Sequence, residues 1–378
     1  MTSTGDHELR LIRTLVADDS AFTCELFKVI LDSEPDFAVV GTASTGRQCI
    51  DLVRELRPDL VTMDIGMPNG DGIAATREIM TIAATPIVVV TARPIGAGSP
   101  DAFDAISAGA IDVIAKPDIM NLCDTKQRDT FLRTMRMAAS VRVIGFHART
   151  RRRSEPEAGN ARGRAPSSWP PVGEAEATVI AIGASTGGPN CVRRILELAN
   201  PSIAPPILVV QHMGAEFIPG FAKWLGQSIS LPVELARHGG TLRPGRVYIA
   251  PGDRHLTLGD ARTILLNQSA PIHHQRPAVD TLFHSVAQHV GPAAVGIVLT
   301  GMGRDGTTGM TAMRAAGAFT MAQDEASCVA TGMPVSAARS GAVSHICPPE
   351  EIAARLAKTR HFPMLHPAAA DQIRDERK

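Results

Sequence analysis

The 378-residue chain carries 38 basic and 38 acidic residues, so it has none of the one-sided charge that draws a protein to nucleic acid or to an anionic membrane. A chain of this length exceeds one average domain, and its 44% hydrophobic content supplies two buried cores, which makes two domains the expectation. The six cysteines, Cys24, Cys49, Cys123, Cys191, Cys328 and Cys347, form no C-x-x-C pair, which argues against a zinc knuckle or a disulfide framework.

The opening "MTSTGDHELR" lacks the basic start and apolar block of a secretory signal, and no apolar run approaches a membrane-spanning length. A cytoplasmic location without direct membrane insertion is expected. The short apolar runs "IRTLVAD", "FAVVGTA", "PDLVTMD", "TPIVVVTA" and "AIDVIAKP" then alternate with helical text such as "QCIDLVREL", where Ile50, Val53 and Leu56 share a face. This alternation predicts a parallel sheet covered by helices.

In such sheets the chemistry sits at the carboxyl ends of the strands, which here carry Asp18 and Asp19, Asp64, Thr91 and Lys116. Three carboxylates converging on one edge repel unless a cation joins them, and oxygen ligands select a hard ion such as Mg²⁺. Lys116 can neutralise the remaining charge, and Thr91 offers a hydroxyl to an incoming oxyanion. Any one of these is an ordinary strand-end polar residue; five in register are not.

The set "VADDSA", "TMDIGMP", "VTA" and "AKP" resembles the receiver domain of response regulators, with a flavodoxin-like doubly wound sheet, placed here over residues 8–128. The resemblance implies that Asp64 accepts a phosphoryl group from a histidine kinase. It also implies that Asp18 and Asp19 position Mg²⁺ with Asp64 and the Gly66 carbonyl. Val113 stands where many receivers carry a switch aromatic and cannot act as one. The change on phosphorylation is therefore expected to travel through the glycine-bearing loop "ARPIGAGSP" after Thr91.

From Arg149 to Ala177 the text becomes "RTRRRSEPEAGNARGRAPSSWPPVGEAEA", rich in Pro, Gly, Ser and charge and without apolar periodicity. A helix end and flexible linker are expected over 129–177, and no nucleic-acid binding, since the arginines have no interleaved aromatics. A second α/β domain is expected over 178–360, from "TVIAIGAS", "PILVVQHM", "RVYIAPG", "AVGIVLTGM" and "AFTMAQ", and a disordered tail over 361–378.

The loop "GASTGGPN" after the first of these runs either cradles a phosphate or aims Ser185 as a nucleophile. It lacks the Lys-Ser/Thr ending of a P-loop, which favours the nucleophile. The strand-end rule adds His212 after "PILVVQ" and Asp305 at the end of "GIVLTGMGRD". These are the three side-chain types needed for an attacking hydroxyl, a general base and a carboxylate that holds the imidazole. His212 lies between Ser185 and Asp305 in the chain, an order that separates the set from the α/β-hydrolases.

His255 and Asp253 are secondary cleft candidates. His273, His274, His284 and His289 have no strand-end placement, and Asp260 and Asp280 compete less well than Asp305 as the acid.

"AIGASTGGP", "QHM", "YIAPGDRHL", "RPAVDTLFHSVA", "LTGMGRDG" and "AQDEASCVATGMP" resemble the catalytic domain of the CheB family, the chemotaxis response-regulator protein-glutamate methylesterases. The resemblance implies a doubly wound α/β methylesterase domain with the triad Ser185, His212 and Asp305, a neighbouring Thr186, and a substrate-side Met302 whose backbone N–H donates to an oxyanion. It further implies hydrolysis of glutamate methyl esters on chemoreceptors, with release of methanol, deamidation of glutamines there, and no cofactor in the esterase site. Gly214 stands where a proline is common in the family.

Overall fold

The computed structural model describes residues 11–68, 71–91, 102–116, 125–141, 178–199 and 205–359. The chain divides into two compact units, one built on a five-stranded sheet and the other on a seven-stranded sheet.

In the first unit, β1 (Ile12–Ala17), β2 (Phe37–Ala43), β3 (Leu60–Met63), β4 (Ile87–Thr91) and β5 (Asp112–Ala115) alternate with α1 (Ala21–Asp32), α2 (Gly46–Leu56), α3 (Asp71–Ile82), α4 (Ala102–Ser107) and α5 (Thr125–Ser140). The five apolar runs are the five strands, ordered β2-β1-β3-β4-β5 and paired in parallel. Helices cover both faces of such a sheet, so β3 and β4 are buried at every position.

α2 shows how the text sets an element. Thr45 accepts the Gln48 N–H at 3.2 Å as N-cap, Cys49, Ile50 and Val53 bury one face, and Arg57 ends the helix in the left-handed region at φ 46°.

α5 continues to Ser140, so the domain limit expected at residue 128 falls inside a helix. Packing explains the difference. Phe131 of α5 meets Phe27 of α1 with ring centroids 5.3 Å apart, and Arg136 pairs with Glu34 at 2.8 Å and Asp36 at 2.6 Å. The guanidinium holds the Asp36 carboxyl below its ordinary value. The linker from residue 142 onward, the expected tail and the loop after Thr91 lie outside the described residues.

In the second unit the strands are β6 (Val179–Ala184), β7 (Ile207–Gln211), β8 (Val233–Leu235), β9 (Val247–Ile249), β10 (His255–Leu258), β11 (Ile264–Asn267), β12 (Ala294–Val298), β13 (Phe319–Gln323) and β14 (His345–Cys347). From residue 178 onward the helices are α6 (Gly188–Ala199), α7 (Ile218–Ser228), α8 (Val279–His289), α9 (Thr307–Ala315), α10 (Gly332–Arg339) and α11 (Pro349–Leu356). The parallel sheet runs β14-β13-β12-β6-β7-β9-β8, and β10 and β11 form a separate antiparallel pair.

β6, β7 and β12 are buried throughout, as the central strands of a doubly wound sheet must be. Strand order reverses at β6, with β7 on one side and β12 on the other, and this opens a crevice at the carboxyl ends. Gly183 in β6 lets α8 approach the sheet: a Cβ there would lie 2.2 Å from a methyl of Val279. The first turn of α8 is thereby seated beside the end of β6.

Candidate active site and acidic pocket

Ser185 follows β6 and His212 follows β7, and the two segments are joined by the hydrogen bond from His212 N to Ala184 O at 2.9 Å. Gln211, the last residue of β7, clamps them further: its Nε2 donates to Ser185 O at 2.8 Å and to His212 O at 3.0 Å. Across the crevice Ser185 N donates to Thr300 O at 3.0 Å, tying the serine to the loop after β12. Gly301 in that loop backs onto the serine so closely that a Cβ would lie 2.6 Å from Ser185 Cβ. Side chains there would push Ser185 out of place.

The expected partners His212 and Asp305 meet: His212 Nε2 lies 2.9 Å from Asp305 Oδ2. Asp305 is 2% exposed and accepts three backbone N–H groups, from Val279 at 2.7 Å, Asp280 at 2.9 Å and Gly306 at 2.9 Å. Two of these belong to the first turn of α8, whose positive dipole end favours a carboxylate. Burial by itself raises this carboxyl, but the hydrogen bond and charge of His212 and the α8 N–H groups outweigh it, and the value is lowered. A carboxylate only accepts, so Nε2 carries the imidazole proton and Nδ1 is left as the basic nitrogen. No hydrogen bond joins Ser185 Oγ to His212 among the described residues.

Thr186 and Met302 flank the serine on its two neighbouring loops. Thr300 Oγ1 donates to Thr186 O at 3.0 Å and accepts the N–H groups of Val329 at 3.0 Å and Ala330 at 2.9 Å, while Gln323 Oε1 accepts Thr300 N at 2.8 Å. The backbone N–H groups of Thr186 and Met302 have no partner among the described residues.

Of the other candidates, Asp253 is exposed in the turn after β9, and His255, Asp280, Asp260 and His284 serve other contacts. His255 is fully buried, accepting Ala278 N at Nδ1 (3.2 Å) and facing Ala270 O with Nε2 (3.2 Å), so it props the segment entering α8. Asp280 accepts Gly309 N at 2.7 Å and lies 3.5 Å from His273, away from His212. Asp260 closes a turn through Arg262 N and Thr263 N, and His284 meets Thr308 at 3.1 Å.

Sequence reasoning missed the two α8 N–H groups and the Gln211 clamp. The motif "RPAVDTLFHSVA" marked the helix, but nothing in one dimension shows that its first turn faces Asp305.

In the first unit, Asp18 and Asp64 are buried at the ends of β1 and β3, and Lys116 Nζ bridges them at 2.6 Å and 2.7 Å. Ser20 N donates to Asp18 Oδ1 at 3.0 Å, and Gly66 N to Asp64 Oδ1 at 2.8 Å. Thr91 ends β4, buried, with its carbonyl accepting Lys116 N at 2.8 Å. Asp19 is exposed, yet one carboxylate oxygen from each of Asp18, Asp19 and Asp64 lies within 4.8 Å of the others, an all-oxygen set that fits a hard divalent cation. A second cluster, His345, Cys347 and Glu351, is occupied by Arg355, which reaches both His345 Nε2 (2.8 Å) and Glu351 Oε1 (2.7 Å).

Burial pushes the Asp18 carboxyl above its ordinary value against the pull of Lys116. A raised carboxyl means that its ionised form costs stability, so this cost grows as pH rises through the raised value. Asp18→Asn leaves Lys116 paired with Asp64 and removes one of two buried negative charges. It is therefore expected to raise the unfolding midpoint of the first unit at neutral pH without divalent cation; a lower midpoint under those conditions would contradict the charge argument.

No helix among the described residues is long and apolar enough to cross a membrane. Residues 180–356 match the family model of the CheB methylesterase, and residues 14–125 that of the response regulator receiver domain. A protein-glutamate methylesterase/protein-glutamine glutaminase 1 of Syntrophus aciditrophicus is 39% identical over 352 residues, spanning 92% of this chain and 98% of that one. A protein-glutamate methylesterase/protein-glutamine glutaminase 2 of Anaeromyxobacter dehalogenans is 40% identical over 344 residues, spanning 91% and 95%. The crystal structure of the Thermotoga maritima CheB methylesterase catalytic domain is 35% identical and covers 48% of this chain and 98% of its own, with a TM-score of 0.46. The chain belongs to the CheB methylesterase family, the receiver-bearing protein-glutamate methylesterases/protein-glutamine glutaminases.

Proposed function

We propose that the second unit hydrolyses glutamate methyl esters on a chemoreceptor, with Ser185 as nucleophile, His212 as general base and Asp305 as the acid that orients the imidazole. The observation that carries this reading is the His212–Asp305 pair at 2.9 Å, held at the strand-end crevice that also contains Ser185.

Ser185 Oγ attacks the ester carbonyl carbon as His212 Nδ1 takes its proton. The oxyanion is met by the free N–H groups of Thr186 and Met302. Collapse expels the methoxy group, which takes the proton from His212 and leaves as methanol. A water, deprotonated by His212, then cleaves the acyl-serine and restores the hydroxyl, leaving a glutamate carboxylate. Replacing the methoxy group by an amide nitrogen releases ammonia by the same steps, so one site serves glutamine deamidation.

In the first unit Asp64 accepts a phosphoryl group from a histidine kinase; Asp18, Asp19 and Asp64 would hold a Mg²⁺ ion, which would supply positive charge to the phosphoryl oxygens. Lys116 and Thr91 receive the charge added at Asp64. Methanol released from methyl-labelled receptor membranes, with ammonia measured alongside, tests the reading. No release even from the phosphorylated protein would leave a docking module with a silent esterase fold.

The rate is expected to rise with pH and then level off, because only an unprotonated imidazole can accept the serine proton. Asp305 does not set this limb. Its lowered carboxyl stays ionised at mildly acidic pH, and its contribution to stability, complete above the ordinary aspartate value, is lost only as pH falls through the lowered folded value. A kcat/KM profile that falls as pH rises from the acidic side would contradict a general base that must be unprotonated to act.

A further inference from the structure

Arg304 stands between Met302 and Asp305, in the loop that leaves β12. The backbone of this loop is fixed. Gly301 backs onto Ser185, Gly303 and Gly306 turn the chain at φ 74° and 91°, and the Arg304 carbonyl accepts Thr307 N at 3.1 Å as α9 begins. The side chain is not fixed in the same way: it is exposed and has no ion pair or hydrogen bond among the described residues.

The two nearest carboxylates in sequence and hydrogen bonding are committed. Asp305 is buried under His212 and three N–H groups, and Asp280 is buried against Gly309 N. Arg254, exposed and likewise unpaired among the described residues, lies in the turn after β9, the strand beside β7, and adds positive charge to the same carboxyl edge. Exposed acids at the carboxyl ends of this sheet's strands include Asp253, next to Arg254, and Glu325, just past β13.

We infer that Arg304 is a specificity-determining residue: it pairs with a carboxylate of the substrate segment as the ester enters, so that the site selects methylglutamyl residues with an unmodified Glu or Asp nearby. The inference rests on the hydrolase reading given above and names the substrate class within it, an acidic peptide segment. The chemistry is that of a guanidinium, whose planar fork takes a carboxylate through two parallel N–H donors and keeps its charge at every working pH. Because the side chain is exposed, the pair is screened by salt and acts on binding rather than on the chemical step.

The test uses the full chain with Mg²⁺ and acetyl phosphate and two helical peptides, each with one methylglutamyl residue, flanked one turn away on both sides by Glu in one and by Gln in the other. Methanol release by the unaltered protein is expected to favour the Glu-flanked peptide by about fivefold in kcat/KM, carried by KM and shrinking as salt is added. Arg304→Ala is expected to bring the two peptides to the same kcat/KM, Arg304→Lys to keep part of the preference, and Arg304→Glu to reverse it.

Equal rates on the two peptides with the unaltered protein, or a preference that survives Arg304→Ala, would overturn the inference. So would an equal loss on both peptides in Arg304→Ala, the result of a purely structural role in holding Asp305. Methanol from neither peptide, with Ser185→Ala indistinguishable from the unaltered protein, would overturn the hydrolase reading and this inference with it.

Discussion

Ser185→Ala and His212→Ala are each expected to lower methanol release by on the order of 10⁴- to 10⁶-fold, and the double variant to be little worse than either single one. The serine hydroxyl is a weak nucleophile until its proton has somewhere to go, and the imidazole accelerates nothing without a hydroxyl to deprotonate. What survives is the contribution of binding and of the oxyanion donors on Thr186 and Met302.

Asp305→Asn is expected to be milder, since an amide oxygen can still accept from His212 Nε2 while the negative charge behind the imidazolium is lost. It also places an NH₂ where three N–H groups now converge on a carboxylate, so part of its effect is displacement of the first turn of α8. A double variant far worse than Ser185→Ala would sink the idea that nucleophile and base act as one unit.

Asp64→Asn is expected to abolish phosphoryl uptake from acetyl phosphate and leave esterase activity unresponsive to it, while the unaltered protein takes up phosphate and accelerates. The amide retains the approximate shape and the contact with Gly66 N, but it has no anionic oxygen to attack phosphorus. It also breaks the bridge in which Lys116 Nζ lies 2.7 Å from Asp64 and 2.6 Å from Asp18. Burial alone would lower the Lys116 ammonium, and the two carboxylates more than offset that and raise it. Lys116 is thereby held as a cation beside the position where phosphoryl charge would arrive. Residual phosphate stoichiometry in Asp64→Asn equal to that of the unaltered protein would move the acceptor to another residue.

Alternation of apolar runs with helical text determined both parallel sheets, because each run of five or so β-branched and apolar residues can be buried only between two helical layers. The same text put Asp18, Asp64, Lys116, Ser185 and His212 at strand ends, since a polar residue that stops an apolar run stands where the strand leaves the core. The strands β8, β10, β11 and β14 were not legible: each has only three or four residues, and edge or hairpin pairing, not composition, makes them strands.

Tertiary structure alone decided where α5 ends, because the contacts of Phe131 and Arg136 that keep it on the first unit reach residues some hundred positions earlier. It also decided what holds Asp305. The first turn of α8 supplies two N–H groups from 25 and 26 residues earlier in the chain, and the His212 imidazole comes from 93 residues away. Backbone donors carry no side-chain signature, so no pattern of residue types announces them. They become a site only when Gly183 lets the helix close on β6 and the reversal of strand order at β6 opens a crevice between the loops of β6 and β12.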